Sequence, residues 1–244
     1  MSIKAILFDL DGTLLPMNQE KFLKAYIGGL AKAAEPHGYE PMTITSSILA
    51  GTTAMLKNDG EKTNEAVFWD ALAKIYGEAV LEDIHIFDEF YQTDFQKIKD
   101  VCGFAPQAAI VVSKIKEKGL RVALATNPLF PTIATESRIR WAGLDPNDFE
   151  MFTTYETSKY SKPNLNYYKE VLSELELEPE ECLMVGNDVA DDMVVTKLGM
   201  DAFLLTDCLI NTKNQDISIY PQGGFDELMS YIENLNIVDQ SLDG

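Results

Sequence analysis

The sequence predicts an α/β fold: a parallel sheet, interrupted after its first strand by an all-helical insert. Three observations carry this expectation. Short apolar runs recur at 5–8, 120–125, 182–185 and 202–205. From residue 104 onward these runs alternate with segments of helical periodicity, the pattern of a parallel sheet covered on both faces. Between about 16 and 100 no such run appears, only apolar stripes at spacings of three and four.

The elements follow in order. Ala5-Ile6-Leu7-Phe8 has the length and composition of a strand buried on both faces. It stops at Asp9-Leu10-Asp11-Gly12-Thr13, where Gly12 supplies a turn. In the insert, Phe22, Leu23, Tyr26, Ile27 and Leu30 form one stripe, Val67, Phe68, Ala71, Leu72, Ile75 and Tyr76 a second, and Phe87, Phe90, Tyr91, Phe95 and Ile98 a third. Pro36-His37-Gly38, Pro41, Gly51 and Gly60 punctuate them. A helix is expected over 108–118 and ends at Gly119. The strand at 120–125 closes at Thr126-Asn127-Pro128. Helices over 131–141 and 165–175 follow, then the strand at 182–185 ending at Gly186, a helix over 189–198, the strand at 202–205 and a last helix over 225–235. The polar residues 239–244 read as an unanchored tail. The implied organisation is a Rossmann-like core over 1–15 and 104–244, with a helical domain over 16–103.

Composition narrows the function. Of 244 residues, 20 are Lys or Arg and 39 are Asp or Glu, a formal charge of −19. Such acidity repels nucleic-acid polymers and anionic membrane surfaces, while a local cation can still admit one small phosphorylated ligand. No apolar run approaches the roughly 20 residues of a membrane span, and the N-terminal apolar stretch, broken by Asp9, is not a secretory signal. Cys102, Cys182 and Cys208 are too few and scattered for a disulfide framework or a zinc site. The expected setting is the cytoplasm, and the expected state a monomer.

In parallel α/β sheets, ligands bind at the carboxyl ends of strands. Polar residues stand at three such ends: Asp9 and Asp11, Thr126 and Asn127, Asn187 and Asp188. The Asp9–Asp11 pair is the sharpest signal. Residues two apart in an extended segment point to one side, and two carboxylates about 4 Å apart repel by roughly 4 kcal/mol at an effective dielectric near 20. A proton, a lysine or a metal must offset this. The competing interpretation is a turn cap, since Asp before Gly is common in turns. His37 and His85 lie in the insert without a catalytic or metal-binding spacing, so both are expected to be ordinary histidines.

Four segments together resemble the haloacid dehalogenase superfamily. Phe8-Asp9-Leu10-Asp11-Gly12-Thr13-Leu14 looks like its opening motif, Thr126 its second, Lys162-Pro163 its third, and Val185-Gly186-Asn187-Asp188-Val189-Ala190-Asp191-Asp192-Met193 its acidic fourth. They occur in the expected order over residues 9–192. The resemblance implies an aspartyl-phosphate chemistry. Asp9 would be the nucleophile and Asp11 the general acid and base. Thr126 and the Asn127 backbone would bind phosphate oxygens, and Lys162 would balance charge. Mg²⁺ would be held by Asp9, the Asp11 main-chain carbonyl and an acid of the fourth motif. Hard oxygen donors suit that ion. For Asp11 to act near neutrality its pKa must be raised, by Asp9 nearby and by closure of the insert. Family members that cleave haloalkanoates lack an aspartate at this position, so Asp11 favours phosphoryl transfer.

One departure concerns the fourth motif. Many relatives carry Asp directly after its Gly, where this chain has Asn187 and then Asp188. Either Asp188 or the Asn187 amide oxygen can take the metal position, and Asp188 is favoured. Asp192, four residues on, is expected to orient Lys162 or a metal-bound water, and Asp191 to be a solvated acid at a helix start. The insert resembles the family's first-type cap, with hinges near 15–18 and 103–105 and with Pro16, Met17 and Asn18 as candidate cleft residues. Lys57-Asn58-Asp59-Gly60 reads as an exposed turn more readily than as a substrate loop, and the aromatic stripes as core rather than a ligand cage. The resulting expectation is a Mg²⁺-dependent phosphatase acting on a small phosphorylated metabolite. Its alternatives are a sugar phosphomutase of the β-phosphoglucomutase type and a non-catalytic binding protein on the same scaffold.

Overall fold

The computed structural model of the chain describes residues 2–235; the tail expected at 239–244 lies outside them. Five parallel strands form one sheet in the order β2-β1-β3-β4-β5: β1 is Ala5–Phe8, β2 Arg121–Leu124, β3 Cys182–Gly186, β4 Asp201–Leu205 and β5 Gln222–Gly223. The expected strands are all present. The two-residue edge strand β5 was not foreseen, nor was the segment around Phe152, which runs parallel to β2 through a bridge to Leu124. Neither is long enough to show a period of two.

The interior strand β1 shows why its run is uniformly apolar. Ile6 and Phe8 face one core cluster, with Val122, Leu124, Val185 and Phe203. Ala5 and Leu7 face the other, with Ala123, Met184 and Leu204. Alternate side chains enter opposite faces, and both faces are covered. The first face is covered by α5 (Pro106–Glu117), α6 (Thr132–Trp141) and α8 (Phe225–Glu233), the second by α7 (Leu165–Leu175). The helix expected over 189–198 is instead a bend followed by a 3-10 turn at Met193–Leu198. There the side chain of Asp188 accepts from the amides of Ala190 and Asp191, an Asx-type turn that competes with a regular helical start.

The insert consists of α1 (Gln19–Ala34), α2 (Pro41–Leu56), α3 (Asn64–Tyr76), α4 (Ile84–Gln92) and 3-10 stretches at Glu35–His37, Glu78–Asp83 and Asp94–Val101. Its stripes are buried as expected at Phe22, Tyr26, Phe68, Leu72, Phe90 and Phe95, but Leu23 is 47% and Ile75 48% exposed. The two connecting segments run side by side: Met17 bridges Cys102, and the Gly103 amide donates to the Pro16 carbonyl at 2.7 Å. The insert packs directly on the sheet's helices, with Phe95 stacked on Trp141 and Tyr26 edge-on to Phe130. Among the described residues no helix is long and apolar enough to cross a membrane.

Candidate active site

The strand register aligns the polar residues at one level. Phe8 pairs with Leu124 on one side and Val185 on the other. The Asp9 amide donates to the Val185 carbonyl at 2.9 Å, and the Ala125 amide to the Phe8 carbonyl at 2.7 Å. Asp9, Thr126 and Asn187 therefore leave three adjacent strands together. They open into a cleft of about 250 Å³ whose lining includes all the candidate catalytic, phosphate-binding and metal-binding residues: Asp9, Asp11, Thr126, Asn127, Lys162, Asn187, Asp188 and Asp192.

Asp9 is buried on the floor. One carboxylate oxygen accepts from Lys162 Nζ at 2.9 Å and the other from the Thr13 hydroxyl at 3.2 Å. Lys162 Nζ also donates to Asp192 Oδ1 at 2.6 Å, and the other Asp192 oxygen accepts from the Asp188 amide at 3.0 Å. Burial opposes charge on Lys162, yet the carboxylates of Asp192 and Asp9 outweigh it and hold the ammonium well above its ordinary pKa. Burial raises the Asp192 carboxyl against the pull of Lys162. Gly186 permits this packing, because a Cβ there would fall on the Asp192 carboxylate. Gly12 is needed twice over: its φ is +92°, and a Cβ would fall on the Asn187 amide.

Asp9 and Asp11 do not share one countercharge. The chain turns after Phe8, and the Asp11 carboxylate pairs with Arg138, a residue that the sequence reading missed. Arg138 is completely buried on α6. Its guanidinium also donates to the Thr135 hydroxyl at 3.2 Å and lies 4.3 Å from the Phe130 ring centroid. The available signal was its spacing: Ala134, Arg138 and Trp141 fall on one buried face, where a charge requires a partner. Burial raises the Asp11 pKa, with Arg138 opposing and Asp9 adding to the rise. Asp11 Oδ1 is buried without a hydrogen-bond partner.

The fourth motif separates its two candidates. The Asn187 amide is engaged at both ends: its oxygen lies 3.1 Å from the Thr13 hydroxyl, whose one proton it shares with Asp9, and its nitrogen donates to the Cys208 carbonyl at 2.7 Å. Asp188 uses one oxygen in its turn, and no hydrogen bond among the described residues uses the other. Asp191 differs from expectation. It lines the cleft, and burial together with Asp188 pushes its pKa up to about 6. Asn127 ties two loops together by accepting from the Lys162 amide at 3.2 Å. The Thr126 carbonyl is anchored by Thr153 at 2.6 Å and Tyr167 at 2.7 Å.

From the insert, Met17, Gln19, Phe22 and Leu23 close the cleft, but Pro16 and Asn18 do not line it. The segment 57–60 does not line the cleft; Lys57 and Asp59 are exposed, as a surface turn requires, while Asn58 turns inward. Asn58 is buried, donates to Asn64 at 2.8 Å, and Gly60 lies against Tyr160. His37 and His85 are exposed on the insert. No three His, Cys, Asp or Glu side chains converge as a metal cluster among the described residues; the expected Mg²⁺ set instead combines two carboxylates with a main-chain carbonyl. The cleft's chemistry fits that ion. Five carboxylates face one ammonium, with no thiol or imidazole in the lining, so a phosphate dianion needs further positive charge.

Comparisons with known proteins give the family and the fold. Residues 3–194 match the family model described as haloacid dehalogenase-like hydrolase. The chain is similar to pyrophosphatase PpaX of Bacillus cereus, 24% identical over 192 residues that cover 78% of this chain and 77% of that one. Its fold is similar to a HAD phosphatase from Thermococcus onnurineus, with a TM-score of 0.62 at 16% identity over 96% of this chain and 100% of that one. It is also similar to an L-2-haloacid dehalogenase from Xanthobacter autotrophicus, with a TM-score of 0.56 at 15% identity over 95% and 99% of the two chains.

Proposed function

The chain belongs to the haloacid dehalogenase-like hydrolase family, and on that premise we propose that it is a Mg²⁺-dependent phosphoric monoester hydrolase. Its substrate is a small phosphorylated metabolite, cleaved through an aspartyl-phosphate. The observation that carries this reading is the setting of Asp9, held between Lys162 and Thr13 at the carboxyl end of β1, with Asp11 separately paired to Arg138. The division into a core over 1–15 and 104–244 and a cap over 16–103 belongs to the same proposal, supported by the adjacent crossings at Pro16 and Gly103.

An oxygen of the Asp9 carboxylate attacks phosphorus. The bond from phosphorus to the ester oxygen breaks with its electron pair, and the Asp11 carboxyl proton passes to that oxygen, so the leaving group departs as an alcohol. Asp11, now a carboxylate, takes a proton from a water whose oxygen attacks the phosphoryl group. The bond to Asp9 breaks, releasing inorganic phosphate and restoring both side chains. The Thr126 hydroxyl and Asn127 amide hold phosphoryl oxygens, and Lys162, oriented by Asp192, balances charge. Asp9, the Asp11 main-chain carbonyl and Asp188 would hold the Mg²⁺, which supplies countercharge to the phosphoryl oxygens. Asn187 is the poorer candidate because both ends of its amide are engaged. Asp11 supports phosphoryl transfer over halide displacement, since a halide needs no proton.

The test is turnover of an aryl phosphate with and without Mg²⁺, in the native protein and in Asp9→Asn. Metal-dependent phosphate release abolished by the substitution supports the proposal. Isomerisation of a sugar phosphate without phosphate release would favour the phosphomutase. No turnover across a panel of phosphorylated metabolites would favour a binding protein.

A further inference from the structure

Helix α7 begins at Leu165, just after Lys162, and carries two adjacent tyrosines, Tyr167 and Tyr168, both fully buried. Their rings meet edge-on with centroids 4.9 Å apart. A buried phenol hydroxyl needs a partner, and each of these finds a main-chain carbonyl in a different loop of the site. Tyr167 donates to the Thr126 carbonyl at 2.7 Å, and Tyr168 donates to the Asp191 carbonyl at 2.7 Å.

A peptide unit is planar and trans, so its C=O and N–H point in opposite directions and fixing one aims the other. The Thr126 carbonyl shares its peptide unit with the Asn127 N–H. The Thr153 hydroxyl, 3.0 Å from that of Tyr167, also donates to this carbonyl at 2.6 Å. Asn127 lines the cleft, and no hydrogen bond among the described residues uses its N–H. A donor left open at the cleft is thus held by the far end of its own peptide unit.

The Asp191 carbonyl shares its peptide unit with the Asp192 N–H, which donates to the Asp188 carbonyl at 2.9 Å. The Asp191 N–H donates to Asp188 Oδ1 at 3.0 Å. Tyr168 therefore anchors a closed turn that engages both the main chain and the side chain of Asp188. A carboxylate is planar, so with one oxygen fixed in that turn the direction of the other is set as well.

We propose that Tyr167 and Tyr168 are positioning residues with separate duties: Tyr167 aims the Asn127 N–H at a phosphoryl oxygen, and Tyr168 holds the turn that presents the second Asp188 oxygen to the metal. This rests on the phosphatase reading and adds the residues that set its two ligand-binding loops. One short segment then carries Lys162 and both anchors, so the charge-balancing ammonium, the phosphate donor and the metal ligand share a common mount.

The test uses Tyr167→Phe and Tyr168→Phe, which keep the rings and remove only the hydroxyls, with Thr153→Val as a second route to the Thr126 carbonyl. Calorimetry measures Mg²⁺ binding to metal-free protein and orthovanadate binding to Mg²⁺-saturated protein, neither of which needs turnover. Tyr167→Phe should weaken orthovanadate by about three- to tenfold, the worth of one hydrogen bond, and leave Mg²⁺ binding unchanged. Thr153→Val should act in the same direction. Tyr168→Phe should weaken Mg²⁺ by about tenfold or more, as loss of an outer partner of a metal ligand does, and leave orthovanadate unchanged once the metal is saturating. In turnover of an aryl phosphate, excess Mg²⁺ should restore kcat in Tyr168→Phe and fail to restore it in Tyr167→Phe.

Equal losses of both ligands in either tyrosine variant would reduce that residue to core packing and overturn its assignment. Native affinity for both ligands in a variant would overturn it as well. Separate losses in a native protein that turns over no phosphate ester would uphold the positioning roles and overturn the phosphatase reading. A native protein that binds neither Mg²⁺ nor orthovanadate overturns that reading and this inference with it.

Discussion

Arg138, buried on α6, closes an ion pair with Asp11, from the loop that follows β1, and lies over the ring of Phe130. Asp11 is thus the partner of a cation well removed from it in sequence, whereas Asp9 is paired with Lys162. Two carboxylates that would repel if left to themselves are met by different cations, Asp11 by Arg138 and Asp9 by the Lys162 that it shares with Asp192.

Arg138→Met should therefore damage both stability and chemistry. Removing one member of a buried pair leaves the other uncompensated, a loss of about 3–5 kcal/mol, readable in a urea titration. Arg138 also draws the Asp11 pKa down against the larger effect of burial. Its removal should raise that pKa further and move the alkaline limb of the kcat/KM profile to higher pH, because the proton donor then survives to higher pH. An unmoved limb would separate Arg138 from the acid–base function of Asp11.

Asp191 carries a folding cost at neutral pH. Its pKa is raised to about 6 by burial, with Asp188 adding to the rise. The folded state thus holds the proton more tightly than the unfolded state, so the associated stability is complete below the ordinary Asp range. It is lost as pH rises through about 6. In metal-free protein, Asp191→Asn should be more stable than the native chain at pH 8, by on the order of 1–2 kcal/mol given partial solvent screening, and no more stable at pH 4. Thermal melts in chelator at the two pH values measure this; an equal effect at both would rule out the ionisation as its cause.

Asn64 fastens the insert to the α/β part. It is fully buried, and its side chain donates to the Pro128 carbonyl at 3.0 Å and the Ser161 hydroxyl at 3.1 Å while accepting from Asn58 at 2.8 Å. Asn64→Ala would remove these bonds and strand the Pro128 carbonyl, at about 1–3 kcal/mol for a buried group so stranded. Cleavage in the crossing segments near residues 16–18 and 103–105 should accelerate in limited proteolysis, and KM should rise as the insert closes less firmly. Native-like protease resistance would show that the aromatic packing of Tyr26, Phe95 and Phe130 holds the insert alone.

Hydrophobic patterning made the sheet legible in the sequence, because a strand covered on both faces must be apolar along its length, as Ala5–Phe8 is. The same patterning placed Asp9, Thr126 and Asp188 at strand ends, and parallel register then brings strand ends together. The nine-residue fourth motif and Lys162 were legible only as a resemblance, and their meeting at Asp192 confirms no role but does put them in contact. Packing between distant elements decided the rest. Arg138 acquires meaning only when α6 is laid beside the loop after β1. Leu23 leaves its stripe because the cleft, and not the insert's interior, lies in front of it. Asn58 is buried because the insert docks on residues near Tyr160. Local periodicity encodes which side of an element is apolar; which surface it then meets depends on chain segments a hundred or more residues away, and no local signal carries that.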